Sequence, residues 1–222
     1  MRRLNVYVIA LGAFLTGTAE LAVAGVLPAL ADDLRISIAM AGQFVTAYSL
    51  AFAIGTPVLV TLTSRMGRKR VMIGSLAVFV AGCALTCFSA GYVPLLVARV
   101  LLGLGAGVYS VVAVSSAARL VPPDKIGGAI SAIGFAFGSA LTLGVPLGIA
   151  VTEAWGWRAI FSVLGLVSLL ILLALVRMLP PIAGDDPAPF RAQLRATREP
   201  AIFSGFVLSF LLCAGNALLL TY

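Results

Sequence analysis

The chain has 222 residues, 61% of them hydrophobic and 10% charged, with a mean hydropathy of +1.12 and a net charge of +7. That much apolar surface exceeds what one water-soluble core can bury, which excludes a soluble globular domain and points to a membrane protein. With no histidine, and with Cys83, Cys87 and Cys213 forming no paired motif, no metal site, cofactor or catalytic residue is expected.

A helix of about 20 residues crosses a hydrocarbon core of roughly 30 Å. Apolar runs of that order recur at 6–30, 39–62, 71–89, 93–117, 127–151, 159–179 and 201–222. None alternates with the period of a barrel strand, so the expected fold class is an all-α membrane protein: a six-helix bundle and most of a seventh helix.

The first run follows Arg2 and Arg3 and ends near "PALAD", which imitates a secretory leader, but it is span-length and interrupted by Glu20, so cleavage is not expected. Glu20 is the single acid of that run. A charge at mid-helix costs about 2.5–3.5 kcal/mol against roughly 0.3–0.6 gained per Leu or Ile, so the span inserts despite it, and an intramembrane acid marks a functional site first. Gln43 and Tyr48 are the polar candidates of the second span.

Between the second and third spans lies "LTSRMGRKRVMIG" (62–74), where Gly67 is expected to let the chain reverse and Arg65, Arg68 and Lys69 to meet anionic headgroups. Twelve of the 15 basic residues fall on this side, at the N-terminus, in this loop, around Arg119 and Lys125, and around 177–198. The positive-inside rule therefore makes that side cytoplasmic, with the N-terminus inside, and accounts for the charge without nucleic acid.

The fourth span carries Arg99. Counted from the ends near Leu30 and Val93 at about 1.5 Å per residue, Glu20 and Arg99 lie roughly 15 Å and 9 Å deep, both in the outer half, where they could share one cavity. A salt bridge fixing the two helices is the structural alternative to a proton or substrate site. Glycines four apart, Gly103 and Gly107, Gly134 and Gly138, Gly144 and Gly148, are expected to let helix backbones approach closely, and Pro146 to kink the fifth span. Ser110, Ser115, Ser116, Phe135 and Asn216 are weaker candidates for substrate contact, and Trp155 and Trp157 are expected in the interfacial belt.

After the sixth span, 180–200 reads as a linker on the headgroups, rich in Pro, Gly and Asp and then in arginines at helical spacing. The resulting division is a bundle at 1–179, a cytoplasmic linker at 180–200 and a seventh helix at 201–222. That last apolar segment has no polar stop behind it, so a second half in the same chain is expected.

R-x-G-R-[KR] at 65–69 resembles the signature loop of the major facilitator superfamily, departing from it at Ser64 and Val60, where the family usually has Asp and Gly. "RVLLGLGAG" (99–107) resembles the R-x-x-x-G motif of its proton-driven drug antiporters. "GSALTLGVPLG" (138–148), with Gly138, Gly144, Pro146 and Gly148, is a looser match to the antiporter motif of helix five. "GTAELAVAGVLPALADDL" (17–34) and "GWRAIF" (156–161) are similar to the sugar-efflux and chloramphenicol-resistance permeases. The resemblance covers about residues 12–165. It implies alternating access around a path lined by helices one, four and seven, and export of a drug or small polar metabolite across the inner membrane in exchange for protons. Small-molecule substrate, protons and the bilayer are then the partners. An uncoupled facilitator and a half-permease pairing with another copy or a separate partner are the alternatives. A retinal-type receptor is disfavoured because Lys69 and Lys125 both lie in loops.

Overall fold

A computed structural model describes residues 2–89, 91–184, 199–200, 202–205 and 207–211. It is built of helices, with no strand among the described residues. Among the described residues six are long and apolar enough to cross a membrane: α1 (Arg2–Leu34), α2 (Ile38–Leu62), α3 (Arg68–Phe88), α4 (Tyr92–Leu120), α5 (Ile126–Trp155) and α6 (Trp157–Met178). The chain is a multi-pass membrane protein. Each helix matches an expected span, and most extend past it because loop-flanking polar residues join the helix without having to enter lipid.

The helix ends have local causes. α1 stops where Arg35 takes a left-handed φ of 52°, with its N–H bonded to Asp32 O at 3.1 Å and that of Ile36 to Ala31 O at 3.0 Å. This is a Schellman-type stop built without glycine. Ser37 starts α2 by accepting the Met40 N–H at 3.2 Å. Between α5 and α6 the break rests on Gly156 at φ 83°, which an L side chain rarely adopts. Within α2 the backbone widens into a π turn, Ala51–Gly55, which ends two residues before Pro57, whose missing N–H interrupts the regular ladder. α5 continues through Pro146.

Residues 1–185 form one compact unit. In it α4 packs against α1, α2, α3 and α5, while α3 and α6, and α1 and α5, form close pairs. Apolar burial drives no helix pairing in lipid, so close van der Waals fit must, and two glycine pairs provide it. A Cβ on Gly103 would lie 2.4 Å from Tyr48 O, and one on Gly107 1.8 Å from Thr56 Oγ1, so α4 presses onto α2 at both. A Cβ on Gly144 would lie 3.4 Å from Thr18 Cα of α1, and one on Gly148 3.1 Å from Ala22 O. Gly134 and Gly138 differ: nothing lies within 4 Å of an added Cβ, so the close approach expected there does not occur.

At the end of the bundle away from the basic loops, Trp157 packs against its neighbours inside the bundle. It is 5% exposed and donates its Nε1–H to Asp33 Oδ2 at 3.2 Å, whereas Trp155 is exposed. Arg158 stacks on the Trp157 ring at 4.2 Å, pairs with the same Asp33 oxygen at 2.7 Å and donates to Ser89 O at 3.2 Å. One carboxylate thereby joins the end of α1 to the start of α6 and the end of α3. The Arg158 hydrogen bond, helped by Trp157, holds the Asp33 carboxyl below its usual range. A lowered folded value means this stabilisation is fully present above the ordinary carboxylate range and is lost as pH falls through the lowered value. Asp33→Asn should lower the thermal midpoint in detergent at neutral pH by the equivalent of about 1 kcal/mol or less for so exposed a pair. The gap to the unmodified protein should close on acidification, which a pH series of melting curves checks.

The second unit, residues 186–222, is described over its short apolar helix Ile202–Leu211, where Phe203 N donates to Glu199 O at 2.8 Å. Asn216 and Cys213 lie outside the described residues.

Candidate functional site

Arg99 sits about two turns into α4 and is 1% exposed. Its guanidinium lies 4.6 Å over the Phe161 ring of α6. Its Nε and Nη2 have no hydrogen-bond partner among the described residues. The groups in electrostatic reach of it are Tyr48 on α2 and Cys83 on α3. Tyr48 is buried too, stacked at 6.2 Å on Phe52, with its hydroxyl equally unpartnered among the described residues. It lies in electrostatic reach of both Arg99 and Glu20.

Glu20 is half-buried in α1 and makes no hydrogen bond or ion pair among the described residues. No salt bridge joins it to Arg99; among the described residues the ion pair present is Arg158 with Asp33. The arrangement is thus an arginine sealed among α2, α3, α4 and α6, a carboxyl on α1, and a buried phenol in reach of both. An unpaired arginine in low dielectric costs several kcal/mol, so such a group favours any state that brings it a negative partner or water. Chemically the three groups can hold, release and stabilise charge.

Of the other candidates, Gln43 is exposed and engaged, accepting the Tyr92 O–H at 2.5 Å. Phe135 is 79% exposed on the same stretch of α5 as the unfilled Gly134 and Gly138, and does not join the buried group. Ser110 and Ser115 donate back to their own helix, Ser110 to Gly107 O at 2.8 Å and Ser115 to Val112 O at 3.1 Å, while Ser116 Oγ is buried without a partner among the described residues. Phe161 and Cys83, which complete the surroundings of Arg99, have no signal in sequence beyond Phe161 following Trp157 by one helical turn.

The basic loop between α2 and α3 holds itself differently from expectation. Gly67 has an ordinary φ of −57°, so it is not needed to reverse the chain; it is needed because a Cβ there would press on Ile182 O at 3.2 Å. Ser64 Oγ donates to Thr61 O at 2.8 Å, and the Arg68 guanidinium reaches Ser115 Oγ on α4. Lys69 Nζ donates to Val176 O at 2.9 Å and Leu179 O at 2.5 Å, capping the carbonyl end of α6, where a cation also complements the helix dipole. Arg65 is exposed.

A sequence model of the Major Facilitator Superfamily matches residues 9–222. Two proteins of Bacillus subtilis (strain 168) are similar, both described as uncharacterized MFS-type transporters and neither as an enzyme. YbcL is 35% identical over 218 residues, covering 98% of this chain and 56% of its own length. YtbD is 32% identical over 215 residues, covering 96% and 54%. The chain spans about half the length of these curated relatives.

Proposed function

We propose a transport function for this chain, which belongs to the Major Facilitator Superfamily. It forms the first bundle of a secondary transporter that exports a drug or small polar metabolite across the inner membrane against inward proton flow, by alternating access. The basic end of the bundle faces the cytoplasm, with the N-terminus inside, because the positive charge is concentrated there. The bundle runs to residue 179, the linker to 200, and a seventh helix starts at 201. Such a path needs a second set of helices facing this one, in the same polypeptide or in another copy.

The observation that carries this reading is Glu20: a carboxyl in a membrane helix, half-buried, with no ion pair or hydrogen bond among the described residues to commit its charge. A structural acid would be paired; an unpaired one is placed to take up and give up a proton as its surroundings change. Tyr48 lies in electrostatic reach of Glu20, and Arg99 in reach of Tyr48. The loop at Ser64–Lys69, the Gly144 and Gly148 contacts to α1, and Pro146 between them in α5 are supports of the moving parts.

Inside-out vesicles containing the protein, energised to an acidic interior, test this with labelled chloramphenicol and a thiogalactoside as probes. Accumulation of a probe that nigericin abolishes, by collapsing the pH gradient, is the expected result. Equilibration indifferent to nigericin would replace proton coupling by facilitated diffusion.

A further inference from the structure

Residues 179–184, which leave α6, do not run free. They cross the α2–α3 loop and are held there from both sides. The Arg68 backbone N–H donates to Ile182 O at 3.0 Å, Arg119 Nη1 at the end of α4 donates to Ala183 O at 3.1 Å, and Lys69 grips Leu179 O at 2.5 Å. Leu179 and Ile182 are buried as anchors between these polar contacts. Gly184 lies so close over the loop that an added Cβ would stand 2.7 Å from both Ser64 O and Met66 O.

We propose that residues 179–184 are a latch on the α2–α3 loop: a strap whose carbonyls occupy the loop's donors, so that this loop and the end of α6 move together until the strap lifts. The chemistry suits reversibility. Each bond joins a neutral carbonyl to a cation or an amide near the surface, so its net contribution is modest and water can replace each one. The sum is enough to hold a short strap and small enough to release it. The glycine at 184 and the paired prolines Pro180 and Pro181 fit the same purpose, since the first lets the strap lie on backbone and the second pair stiffens it against coiling into α6. Lifting of the strap as part of opening the cytoplasmic side rests on the transport function proposed above; the latch itself does not.

The loop offers its own probe. Trypsin needs an extended segment, so cleavage after the exposed Arg65 reports how often the loop frees itself, and Arg191, Arg195 and Arg198 in the linker serve as reference sites in the same molecule. The protein in nanodiscs is digested and its fragments followed by mass spectrometry. Gly184→Val, which cannot seat on the loop, and Lys69→Gln, which loses the α6 cap, should each raise cleavage after Arg65 about tenfold relative to the linker sites. Gly128→Ala, where an added Cβ meets nothing within 4 Å, should leave the ratio unchanged. The latch is refuted if both Gly184→Val and Lys69→Gln leave the ratio as it was, or if they raise cleavage at every site alike. No substrate enters the measurement, so failure of the transport reading leaves its outcome intact.

Discussion

If the proposed coupling holds, Glu20→Gln should remove pH-gradient-driven export, down to the level of vesicles without the protein, while the amount inserted in the membrane stays the same. Glutamine keeps the size and hydrogen-bonding capacity of a protonated glutamic acid but cannot release a proton, so it freezes one of the two states that coupling requires. Insertion should tolerate the change, because an uncharged amide at mid-span costs less than the acid it replaces. Downhill exchange of substrate across the vesicle wall, with no pH gradient, should survive, and this separates a lost coupling group from a lost fold. Export that still follows the pH gradient in Glu20→Gln would remove Glu20 from the mechanism.

The second large effect is structural. Gly103→Ala places a methyl 2.4 Å from the carbonyl oxygen of Tyr48 and 3.1 Å from Ala51 Cβ. The nearest obstacle is backbone, so no side-chain rotation relieves it and α2 must move off α4. Overpacking of this kind costs about 1–3 kcal/mol, occasionally more, and should appear as a lowered thermal midpoint in detergent. Tyr48 and Arg99 sit on the two helices being separated, so transport should weaken as well. Gly134→Ala on α5 is the matching comparison, because it adds the same methyl to open space and should be neutral in both measurements.

That pair of glycines also marks how far sequence reaches. Gly103 with Gly107 and Gly134 with Gly138 have the same spacing, and spacing alone assigns both to helix packing. Only the first pair meets a neighbour, because whether a smooth patch is filled depends on where α2 runs, which no local pattern contains. The spans themselves were legible, since a run long enough to cross lipid has one stable form. Their ends were less so: Arg35 in a left-handed turn is an unusual choice for a position that glycine normally takes, and nothing nearby in sequence announces it. Trp157 shows the same limit: its place near a span end is legible in sequence, but its partner Asp33 lies far away in the chain and no local pattern announces it.

The candidate site was legible in its charges and not in its surroundings. Glu20 and Arg99 stand out because charge in an apolar run is expensive. Their relation was not visible: Arg99 lies over Phe161 instead of pairing with Glu20, and Tyr48 is the group in reach of both. These are tertiary facts set by how α2 and α6 pack on α4. In the loop, Gly67 is needed for room beneath Ile182 O and not for the turn that its position in the sequence suggests.

The proton-carrying role of Glu20 is tested most directly by infrared difference spectroscopy of the protein in lipid as pH is stepped, comparing it with Glu20→Gln. The account predicts a carboxylic acid carbonyl band, from a group shielded from bulk water, that rises on acidification, falls on return, and is missing from the Gln variant. Identical difference spectra for the two proteins would contradict it.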